Sequence, residues 1–406
     1  MIKVVQLQYS SASAGRAALR LHTAFLETSI GSGILSLRSD INDTDEIKHL
    51  GRNSKISAWL DNKLQLYLTR NNYKHFGAYA FPFLGTNVSR LDQIKKADII
   101  YLHWVQGGFL NLSNIEQLAK LGKPIIFFMH DMWSITGGCH HSFTCEKYKT
   151  RCFDCQMFPK SKIIDWPALE FNKKLKFYSK YSNLYFVSPS EWLYRCTKQA
   201  LLTKNKPVYY IPNIINNKLY KPFDKNIARH ILNLDVNETI IAFGAVSVDS
   251  PYKGWAYLQK ALEILHESQS IRKISILIFG SQYNKKIADA IPFKVRFMGY
   301  LSDEYSMSLV YNAADVFIAP SIAETFGFVI LESLCCGTPV VAFEVGGIPD
   351  LIKHKENGYL AKYKDAEDIA NGIKFCLENN IKGKILPIFE KSNIIRKHLE
   401  LINSLI

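Results

Sequence analysis

Short apolar runs alternate with helix-like segments along this chain, and the alternation constrains its fold more than any other feature. The runs are rich in β-branched and aromatic residues, and in the first half they cover residues 2–7, 99–104, 125–129, 184–187 and 208–211. Residues 17–28 and 114–121 between them have the periodicity of amphipathic helices. Buried strands that alternate with helices are typical of a parallel sheet covered on both faces. The sequence therefore predicts an α/β fold.

The same alternation starts again after Asp235. Strand-like runs there cover residues 240–243, 274–279, 295–298, 316–319 and 340–343, and residues 255–267 are helical in pattern. At ~150 residues per domain, 406 residues accommodate two or three domains. We predict one Rossmann-like domain over residues 1–208 and a second over 209–390, because Pro212 and its neighbouring asparagines interrupt regular structure between the two blocks. Residues 391–406 are predicted to form a helix that packs back on the first domain.

The composition excludes several classes of protein. Hydrophobic residues make up 48 % of the chain and charged residues 21 %, so wholesale disorder is excluded. No run approaches the roughly 18 consecutive apolar residues of a membrane-spanning helix. The apolar start is interrupted by Lys3 and is too short for a signal peptide, so we expect a cytoplasmic protein with reduced thiols.

The chain is strongly basic. Its 50 basic and 36 acidic side chains leave a net charge of +14. Such an excess favours anionic partners, which include nucleotide phosphates, nucleic acid and acidic lipid surfaces. No helix-turn-helix, RNA-recognition or zinc-finger signature is present, so nucleic-acid binding ranks below the other two.

An acidic and glycine-containing motif follows the run at 316–319. It contains Glu324, Thr325, Phe326 and Gly327, and Glu332 lies eight residues after the first glutamate. Parallel sheets bind ligands beyond the carboxyl ends of their strands, and a helix beginning near Gly327 would direct free backbone N–H groups at a phosphate. The two carboxylates could accept hydrogen bonds from a sugar and a ribose. The alternative is that both glutamates belong to a solvated helix face.

On these residues the sequence resembles the retaining glycosyltransferases of family 4, whose C-terminal half carries a Glu-x7-Glu motif. Segments at 297–304, 346–350 and 357–358 resemble other blocks of that family, and segments at 187–193 and 211–213 resemble its markers before the second domain. The resemblance covers nearly the whole chain. It implies a GT-B architecture, in which two Rossmann-like domains face each other across a cleft, and a nucleotide-diphosphate sugar as co-substrate without a catalytic metal.

The resemblance also implies roles for individual residues. As catalytic residues, Glu324 would position the sugar hydroxyls, Lys253 would neutralise the diphosphate, and His130 would contact the sugar from the first domain. The implied donor-binding residues are Glu332, Thr325, Phe326, Gly327, Gly299 and Gly244, and the implied acceptor-side residues are Gly15, Arg16 and Asp131. Read from chemistry alone, a lysine here could be merely solvated and a strand-end histidine could be a structural hydrogen-bonding group.

Two departures from the family pattern affect the phosphate-binding loops. Relatives usually have an arginine after the strand that ends at Gly244, but Ala245 and Val246 stand here. Arg272, Arg296 or a lysine could supply the positive charge of the missing arginine. Relatives also often have a glycine pair after the first strand, and of that pair only Gly15 remains.

Four cysteines are concentrated in a segment that we predict to be an insertion at 137–157. Cys139, Cys145, Cys152 and Cys155 form a Cys-x5-Cys-x6-Cys-x2-Cys array that could hold a structural zinc ion, with His140 and His141 as alternative ligands. Free thiols and a redox pair are the alternatives. The insertion would shape the acceptor side.

Basic and aromatic residues crowd the stretch that follows. The basic members are Lys147, Lys149, Arg151, Lys160, Lys162, Lys173, Lys174, Lys176 and Lys180, and the aromatic members are Phe158, Trp166, Phe171, Phe177 and Tyr178. This combination suits an anionic bilayer surface, and an ordinary solvated helix face is the alternative. A peripheral membrane enzyme that transfers sugar to a glycan or lipid-linked glycan in bacterial surface polysaccharide assembly is the resulting hypothesis. A nucleotide-sugar epimerase and a non-catalytic binder of nucleotide sugars or nucleic acid are the rivals.

Overall fold

The computed structural model describes residues 1–11, 16–38, 42–69, 79–155, 164–244, 252–269, 271 and 273–406. The chain divides into two compact units. Unit 1 comprises Met1–Ile214 together with Ser392–Ile406, and unit 2 comprises Ile215–Lys391. The dividing point thus lies between Ile214 and Ile215, and the last residues of the chain belong to the same unit as the first.

Unit 1 is built on a parallel sheet. In its described part, the strand order is β3-β2-β1-β4-β5-β6-β7, and neighbouring strands all run parallel. Their bounds are β1 Lys3–Ser10, β2 Gly31–Arg38, β3 Ile47–His49, β4 Ile99–Leu102, β5 Ile125–Phe128, β6 Leu184–Ser188 and β7 Val208–Tyr210.

Local capping signals mark the start of several helices of unit 1, among them α4 (Leu112–Ala119) and α5 (Trp166–Lys180). Asn111 and Asn114 form a reciprocal capping box at the start of α4, and Asp165 accepts a hydrogen bond from the backbone N–H of Ala168 at the start of α5. The helices are α1 Arg16–Leu26, α2 Arg52–Thr69, α3 Asp92–Lys96, α4 Leu112–Ala119, α5 Trp166–Lys180, α6 Glu191–Gln199 and, at the end of the chain, α14 Lys391–Leu405.

Both faces of the unit 1 sheet are covered. Every residue of β4 and β5 is buried, which explains why these strands are continuously apolar and do not alternate. The C-terminal helix α14 covers part of one face, where Ile394 and Leu401 pack in the same cluster as Phe128. The hydroxyl of Tyr101 on β4 lies 3.2 Å from Nδ1 of His398 on this helix. Burial lowers the pKa of His398 to about 3, so its imidazole is neutral.

Unit 2 is built on a second parallel sheet with the order β10-β9-β8-β11-β12-β13 in its described part. Its strands are β8 Thr239–Gly244, β9 Ile274–Phe279, β10 Lys294–Phe297, β11 Val316–Ala319, β12 Val340–Phe343 and β13 Gly358–Ala361. Its helices are α7 Lys225–Ile231, α8 Trp255–Ser268, α9 Lys285–Asp289, α10 Glu304–Ala313, α11 Phe328–Cys335, α12 Ile348–Leu351 and α13 Ala366–Glu378.

The predicted fold class is confirmed, because both units are parallel α/β sheets with helices between the strands. Among the strands that the structure describes, β2, β3 and β13 were not predicted. The signal of β2 is weakened by Gly31 and Gly33, since glycine lowers strand propensity. Gly33 leaves room for the neighbouring chain, because a Cβ there would lie only 3.2 Å from the carbonyl oxygen of Glu46. Within the described residues, no helix is long and apolar enough to cross a membrane.

Candidate functional site

The predicted acidic motif lies at the carboxyl end of β11, where it forms an ion pair with a lysine. Nζ of Lys253 lies 3.1 Å from Oε2 of Glu324, and both side chains are only partly exposed. Burial alone would lower the pKa of Lys253, but the nearby carboxylate outweighs it and the pKa is raised. The ammonium group is therefore fully charged at neutral pH. The structure thus brings together two residues that are 71 positions apart in sequence.

Two glycines with positive φ allow this close approach. Gly254 has a φ of 70°, and a Cβ there would lie 1.8 Å from the carbonyl oxygen of Pro320. Gly346 has a φ of 57°, and a Cβ there would lie 1.9 Å from the carbonyl oxygen of Glu324. That carbonyl accepts a hydrogen bond of 3.0 Å from the N–H of Gly347. The backbone around Glu324 is therefore held on two sides by segments that only glycine can bring so close.

The helix predicted after the motif begins where expected. Gly327, with a φ of 96°, is the N-cap, and α11 starts at Phe328. The first N–H groups of a helix have no acceptors within the helix and form a partly positive site for anions. Thr325 beside this helix start is 3 % exposed, and its hydroxyl has no hydrogen-bond partner among the described residues. Because this hydroxyl has no hydrogen bond within the described protein, it could bond to a ligand oxygen without breaking one.

Glu332 lies on α11 and is buried, so the alternative of a solvated helix face is wrong for this residue. Its Oε2 accepts a hydrogen bond of 3.2 Å from the hydroxyl of Tyr311. Burial, reinforced by this carboxylate, raises the pKa of Tyr311 well above its ordinary value. Tyr311 was not among the predicted site residues, although a tyrosine on the buried side of a helix is a signal that its hydroxyl has a partner.

The remaining donor-side predictions lie at the ends of neighbouring strands. Gly244 ends β8, where a Cβ would lie 2.4 Å from the ring of Phe279. Gly299 follows β10 with a φ of 69°, and its carbonyl accepts a hydrogen bond of 2.8 Å from the N–H of Gly280. Phe326 is buried in the core beneath the helix start. These positions shape the backbone at the edge of the sheet.

The residues proposed to replace the family arginine are only partly described. Ala245, Val246 and Arg272 lie outside the described residues. The guanidinium of Arg296 donates to the carbonyl oxygen of Asn233. This contact is structural, and Lys253 is the cation that the described residues place beside Glu324.

In unit 1, His130 follows β5 and is part of a chain of buried hydrogen bonds. Nε2 of His130 lies 2.9 Å from Nδ1 of His103, and the two rings stack. The side-chain amide of Gln6 makes a full set of hydrogen bonds in one of its two orientations. In that orientation its nitrogen donates to Nε2 of His103 at 2.9 Å, and its oxygen accepts from the hydroxyl of Ser32 at 3.1 Å. That hydroxyl in turn lies 3.0 Å from Nδ1 of His22.

This chain has one consistent direction. Because Gln6 donates to Nε2 of His103, the proton of His103 is on Nδ1 and is donated to Nε2 of His130. His130 then carries its own proton on Nδ1. Burial lowers the pKa of His130 to about 4, so the ring is neutral near pH 7. Gln6 and His103 were missed, although a glutamine in a strand buried on both faces is a signal of a polar network.

The neighbouring Asp131 forms an ion pair with a third histidine, His140. Its carboxylate accepts hydrogen bonds from the backbone N–H of Trp133, at 2.7 Å, and from Nδ1 of His140. Burial would raise the pKa of Asp131, but the charge and hydrogen bond of His140 outweigh burial and lower it. Nε2 of His140 has no partner among the described residues. Asp131 therefore orients His140, whose second ring nitrogen is buried without a partner among the described residues.

The weak candidates of the first loop are only partly described. Gly15 lies outside the described residues, and Arg16 is the first residue of α1, where it is partly buried. Of the three predicted acceptor-side residues, the structure therefore describes Arg16 and Asp131.

The four clustered cysteines come together as free thiols. Cys139 is buried, and the pKa of its thiol is raised by burial and by the charges of the other three. The hydroxyl of Tyr79 lies 3.2 Å from Sγ of Cys155. Across the described ranges, however, no three His, Cys, Asp or Glu side chains are arranged to hold a metal ion. The thiols have the donor chemistry of a zinc site but not its geometry.

Among the described residues of the basic and aromatic stretch, several aromatic side chains are buried, whereas Arg151, Lys173, Lys176 and Lys180 are exposed, and its contact with a membrane stays a prediction. Phe171 and Tyr178 are part of the unit 1 core, and Phe177 is buried beside them. Lys174 is also fully buried, with Nζ donating to the carbonyl oxygens of Trp133 at 2.6 Å and Thr136 at 3.2 Å. These side chains point inward because α5 packs on the sheet through this face. Phe158, Lys160 and Lys162 lie outside the described residues.

Two parallel-sheet α/β units in one chain are the architecture of the GT-B class of fold. Over the whole chain, this fold is similar to that of many solved structures, two of which illustrate the match. One is Anabaena HepE in complex with UDP and glucose, with a TM-score of 0.62 and 17 % identity, covering 100 % of both chains. The other is sucrose-phosphate synthase from Thermosynechococcus elongatus, with a TM-score of 0.63 and 16 % identity, covering 100 % of this chain and 99 % of that one.

Sequence comparison identifies the second unit more specifically. Residues 237–379 match the family described as glycosyl transferases group 1. An uncharacterised glycosyltransferase of Methanocaldococcus jannaschii is 29 % identical over 187 residues, which are 42 % of this chain and 46 % of that protein. D-inositol 3-phosphate glycosyltransferase of Rhodococcus opacus is 31 % identical over 166 residues, 38 % of this chain and 36 % of that protein. The aligned region thus spans less than half of each of these two relatives.

Proposed function

We propose that this protein transfers a sugar from a nucleotide-diphosphate sugar to a hydroxyl of a glycan or lipid-linked glycan, with retention of anomeric configuration. The observation that carries the proposal is the Lys253–Glu324 pair, held 3.1 Å apart at the carboxyl end of β11 beside the start of α11. A fixed cation and a helix N-terminus are suited to stabilise the charge that develops on a departing diphosphate.

Each residue of the unit 2 site has a role in this proposal. Lys253 and the backbone at Phe326 and Gly327 bind the diphosphate. Glu324 accepts hydrogen bonds from sugar hydroxyls, and its ion pair with Lys253 keeps the carboxylate oriented. Glu332 accepts from the ribose hydroxyls, with Tyr311 holding one of its oxygens. Both glutamates would act as ionised carboxylates in these roles, because a charged acceptor forms stronger hydrogen bonds with hydroxyl groups than a neutral one does.

In unit 1 we assign the carboxyl edge of the sheet to sugar and acceptor recognition. His130 presents a neutral ring whose tautomer is set by His103. His140, oriented by Asp131, has an Nε2 without a partner in the described part of the chain, and this nitrogen can accept a hydrogen bond from an acceptor hydroxyl or donate one to an acceptor oxygen. Arg16 and Gly15 remain proposed contributors at the first loop.

UDP is the donor nucleotide that the comparisons favour for a first test, because the Anabaena HepE structures contain UDP with glucose and UDP-glucose. Transfer in bacterial surface polysaccharide assembly, by a protein that associates peripherally with the membrane, remains part of the proposal. This part of the proposal rests on the resemblance of the sequence motifs to those of family 4 glycosyltransferases.

The proposal is tested with purified protein and its Lys253→Ala, Glu324→Gln and Glu332→Gln variants. Thermal stability is measured with UDP-, GDP-, ADP- and dTDP-linked sugars, since a ligand that binds only the native state raises the melting temperature. We expect one base to stabilise the wild type and Glu332→Gln to lose that effect. Transfer to acceptor glycans is then followed by product NMR, which reports the anomeric configuration. Lys294→Ala is the matched control, because it removes an exposed lysine of unit 2 whose partner is Glu238.

Two outcomes would contradict the proposal. Near-wild-type transfer by both Lys253→Ala and Glu324→Gln would refute the site assignment. Isomerisation of the donor in the absence of any acceptor would instead identify an epimerase.

A further inference from the structure

A cavity of about 290 Å³ lies in unit 1 between the start of α4, the first two turns of α5 and residues 81–83. Helices between parallel strands run opposite to the strands, so the starts of α4 and α5 lie at the carboxyl edge of the sheet, where ligands bind. None of the residues assigned above to sugar transfer lines this cavity. Its walls combine aromatic and polar side chains, among them Phe81, Phe83, Asn111, Trp166, Glu170 and Lys173.

Hydrogen bonds hold the aromatic wall of the cavity in place. One carboxylate oxygen of Asp61 on α2 accepts from the N–H groups of Phe83, at 2.9 Å, and Leu84, at 2.8 Å. The side-chain amide of Asn111 donates to the carbonyl oxygen of Phe83 at 2.9 Å. The rings of Phe83 and Trp166 meet edge to face, with their centres 5.2 Å apart. This wall is therefore formed in advance, which lowers the entropic cost of binding a ligand.

Glu170 supplies the cavity with an unused hydrogen-bond acceptor. The residue is only 6 % exposed, and its Oε1 has no hydrogen-bond partner among the described residues. Burial raises the pKa of Glu170, and the charges of Lys174 and Lys173 offset this only in part. A buried carboxyl oxygen without a partner costs free energy, and a ligand hydroxyl that donates to it removes this cost. The cavity is therefore suited to a ligand that donates hydrogen bonds.

Charge and size narrow the chemical class of this ligand. The carboxylate of Glu170 repels an anion, and the charges of Lys173 and Lys174, which act on the same carboxylate, oppose a cation. Typical ligand sites measure about 300–1,000 Å³, so this cavity suits a single ring better than a whole nucleotide sugar. A neutral sugar ring has C–H groups on its faces, which pack on aromatic rings, and hydroxyl donors around its edge.

We propose that this cavity binds one neutral sugar unit of the acceptor glycan. The sugar ring packs on Trp166 and Phe83, and one of its hydroxyl groups donates to Glu170. The inference rests on the proposed sugar transfer for the identity of the glycan as acceptor. It adds a specific binding site in unit 1 and a chemical class, an uncharged sugar, to that proposal.

The first test is binding without any nucleotide. The probes are methyl glycosides of glucose, galactose, mannose, rhamnose and N-acetylglucosamine, with the anionic methyl glucuronide for comparison. In full-length protein labelled with fluorotryptophan, fluorine NMR resolves the six tryptophans, and Trp166→Leu assigns the signal of Trp166. We expect a neutral glycoside to shift this signal and to leave that of Trp255 in unit 2 unchanged. No shift of Trp166 with any neutral glycoside, or an equal response to the glucuronide, would overturn the proposal.

Variants then test the assigned contacts. Glu170→Met and Trp166→Leu are expected to weaken binding of the best glycoside at least about tenfold, because each removes a contact in a desolvated site. Glu116→Met removes a carboxylate of α4 that pairs with Lys180, and Trp59→Leu removes an exposed ring of α2. Both matched controls should bind as the wild type does, and circular dichroism checks that all four variants are folded. Equal weakening in the controls would overturn the assignment.

Transfer kinetics separate this inference from the proposed function. In an active transferase, Glu170→Met should raise the KM for the acceptor glycan and leave kcat nearly unchanged, since the lost contact binds ground state and transition state alike. An unchanged acceptor KM would overturn the cavity assignment and leave the transferase proposal intact. Glycoside binding at Trp166 by a protein that transfers no sugar would support the sugar site and refute the transfer.

Discussion

Replacement of Gln6 by methionine tests whether the directed chain of hydrogen bonds holds unit 1 together. Methionine has nearly the same length but no hydrogen-bonding amide. In its satisfied orientation, Gln6 donates to Nε2 of His103 at 2.9 Å and to the carbonyl oxygen of Ala18 at 3.1 Å. It accepts from the N–H of His22 and the hydroxyl of Ser32, both at 3.1 Å. The substitution therefore removes four hydrogen bonds inside a buried strand.

The expected loss follows from that count. At about 1 kcal/mol net for each hydrogen bond, Gln6→Met lowers the free energy of unfolding of unit 1 by about 4 kcal/mol. Gln8→Met is the matched control, because Gln8 is buried on the same strand and its amide oxygen accepts from the N–H of Trp104 at 3.1 Å. Its loss is expected to be about 1 kcal/mol. Both substitutions replace glutamine by methionine, so the difference between the two losses of unfolding free energy measures what the hydrogen-bond network around Gln6 contributes.

Tryptophan fluorescence during urea denaturation provides the assay. Of the six tryptophans, Trp255 is in unit 2 and the others are in unit 1, so a Trp255→Phe background makes the signal specific for unit 1. Histidine ¹⁵N NMR adds a second readout, because the chain predicts Nδ1–H tautomers for His103 and His130 in the wild type. Gln6→Glu, whose carboxylate cannot donate, is expected to reverse the tautomer of His103. Equal destabilisation by Gln6→Met and Gln8→Met, together with unchanged tautomers in Gln6→Glu, would refute the reasoning.

Four further predictions concern other parts of the molecule. Asp315→Asn is expected to destabilise unit 2 by about 3 kcal/mol in urea denaturation, because Asp315 pairs with the buried Arg229 at 2.7 Å; a loss below about 1 kcal/mol would contradict this. Burial lowers the pKa of Lys174 from 10.5 to about 8. Between pH 8 and 10.5 the unfolded state therefore binds more protons than the folded state, so the free energy of unfolding of unit 1 should rise with pH across that range. Lys174→Met should abolish this rise. Gly346→Ala should abolish nucleotide-sugar binding in the thermal-shift assay without unfolding unit 2, since its Cβ would displace the backbone of Glu324, and unchanged binding would exclude that motif. The four clustered cysteines should titrate as free thiols in the purified native protein, because the described residues do not arrange three of them as metal ligands; about one equivalent of zinc in elemental analysis would contradict this and support the zinc site predicted from the sequence.

The sequence by itself determined the class of fold and the chemistry of the unit 2 motif. Parallel strands buried on both faces must be continuously apolar, so β5 and β11 were readable as runs of consecutive residues. The start of α11 was readable because glycine at 327 precedes an apolar helical segment. These signals come from residues that are close together in sequence, so they can be recognised without knowledge of the tertiary contacts.

Tertiary structure alone decided which distant side chains meet and which faces remain exposed. The Lys253–Glu324 pair and the chain from Gln6 to His130 join residues far apart in sequence, through strand order that no local pattern specifies. The basic and aromatic stretch and α2 have similar compositions, yet the aromatic residues Phe171 and Tyr178 are buried while Trp59 is exposed. Composition cannot distinguish the two cases, because burial depends on which side of a helix its polar anchors hold against the sheet, as Asp61 does for α2.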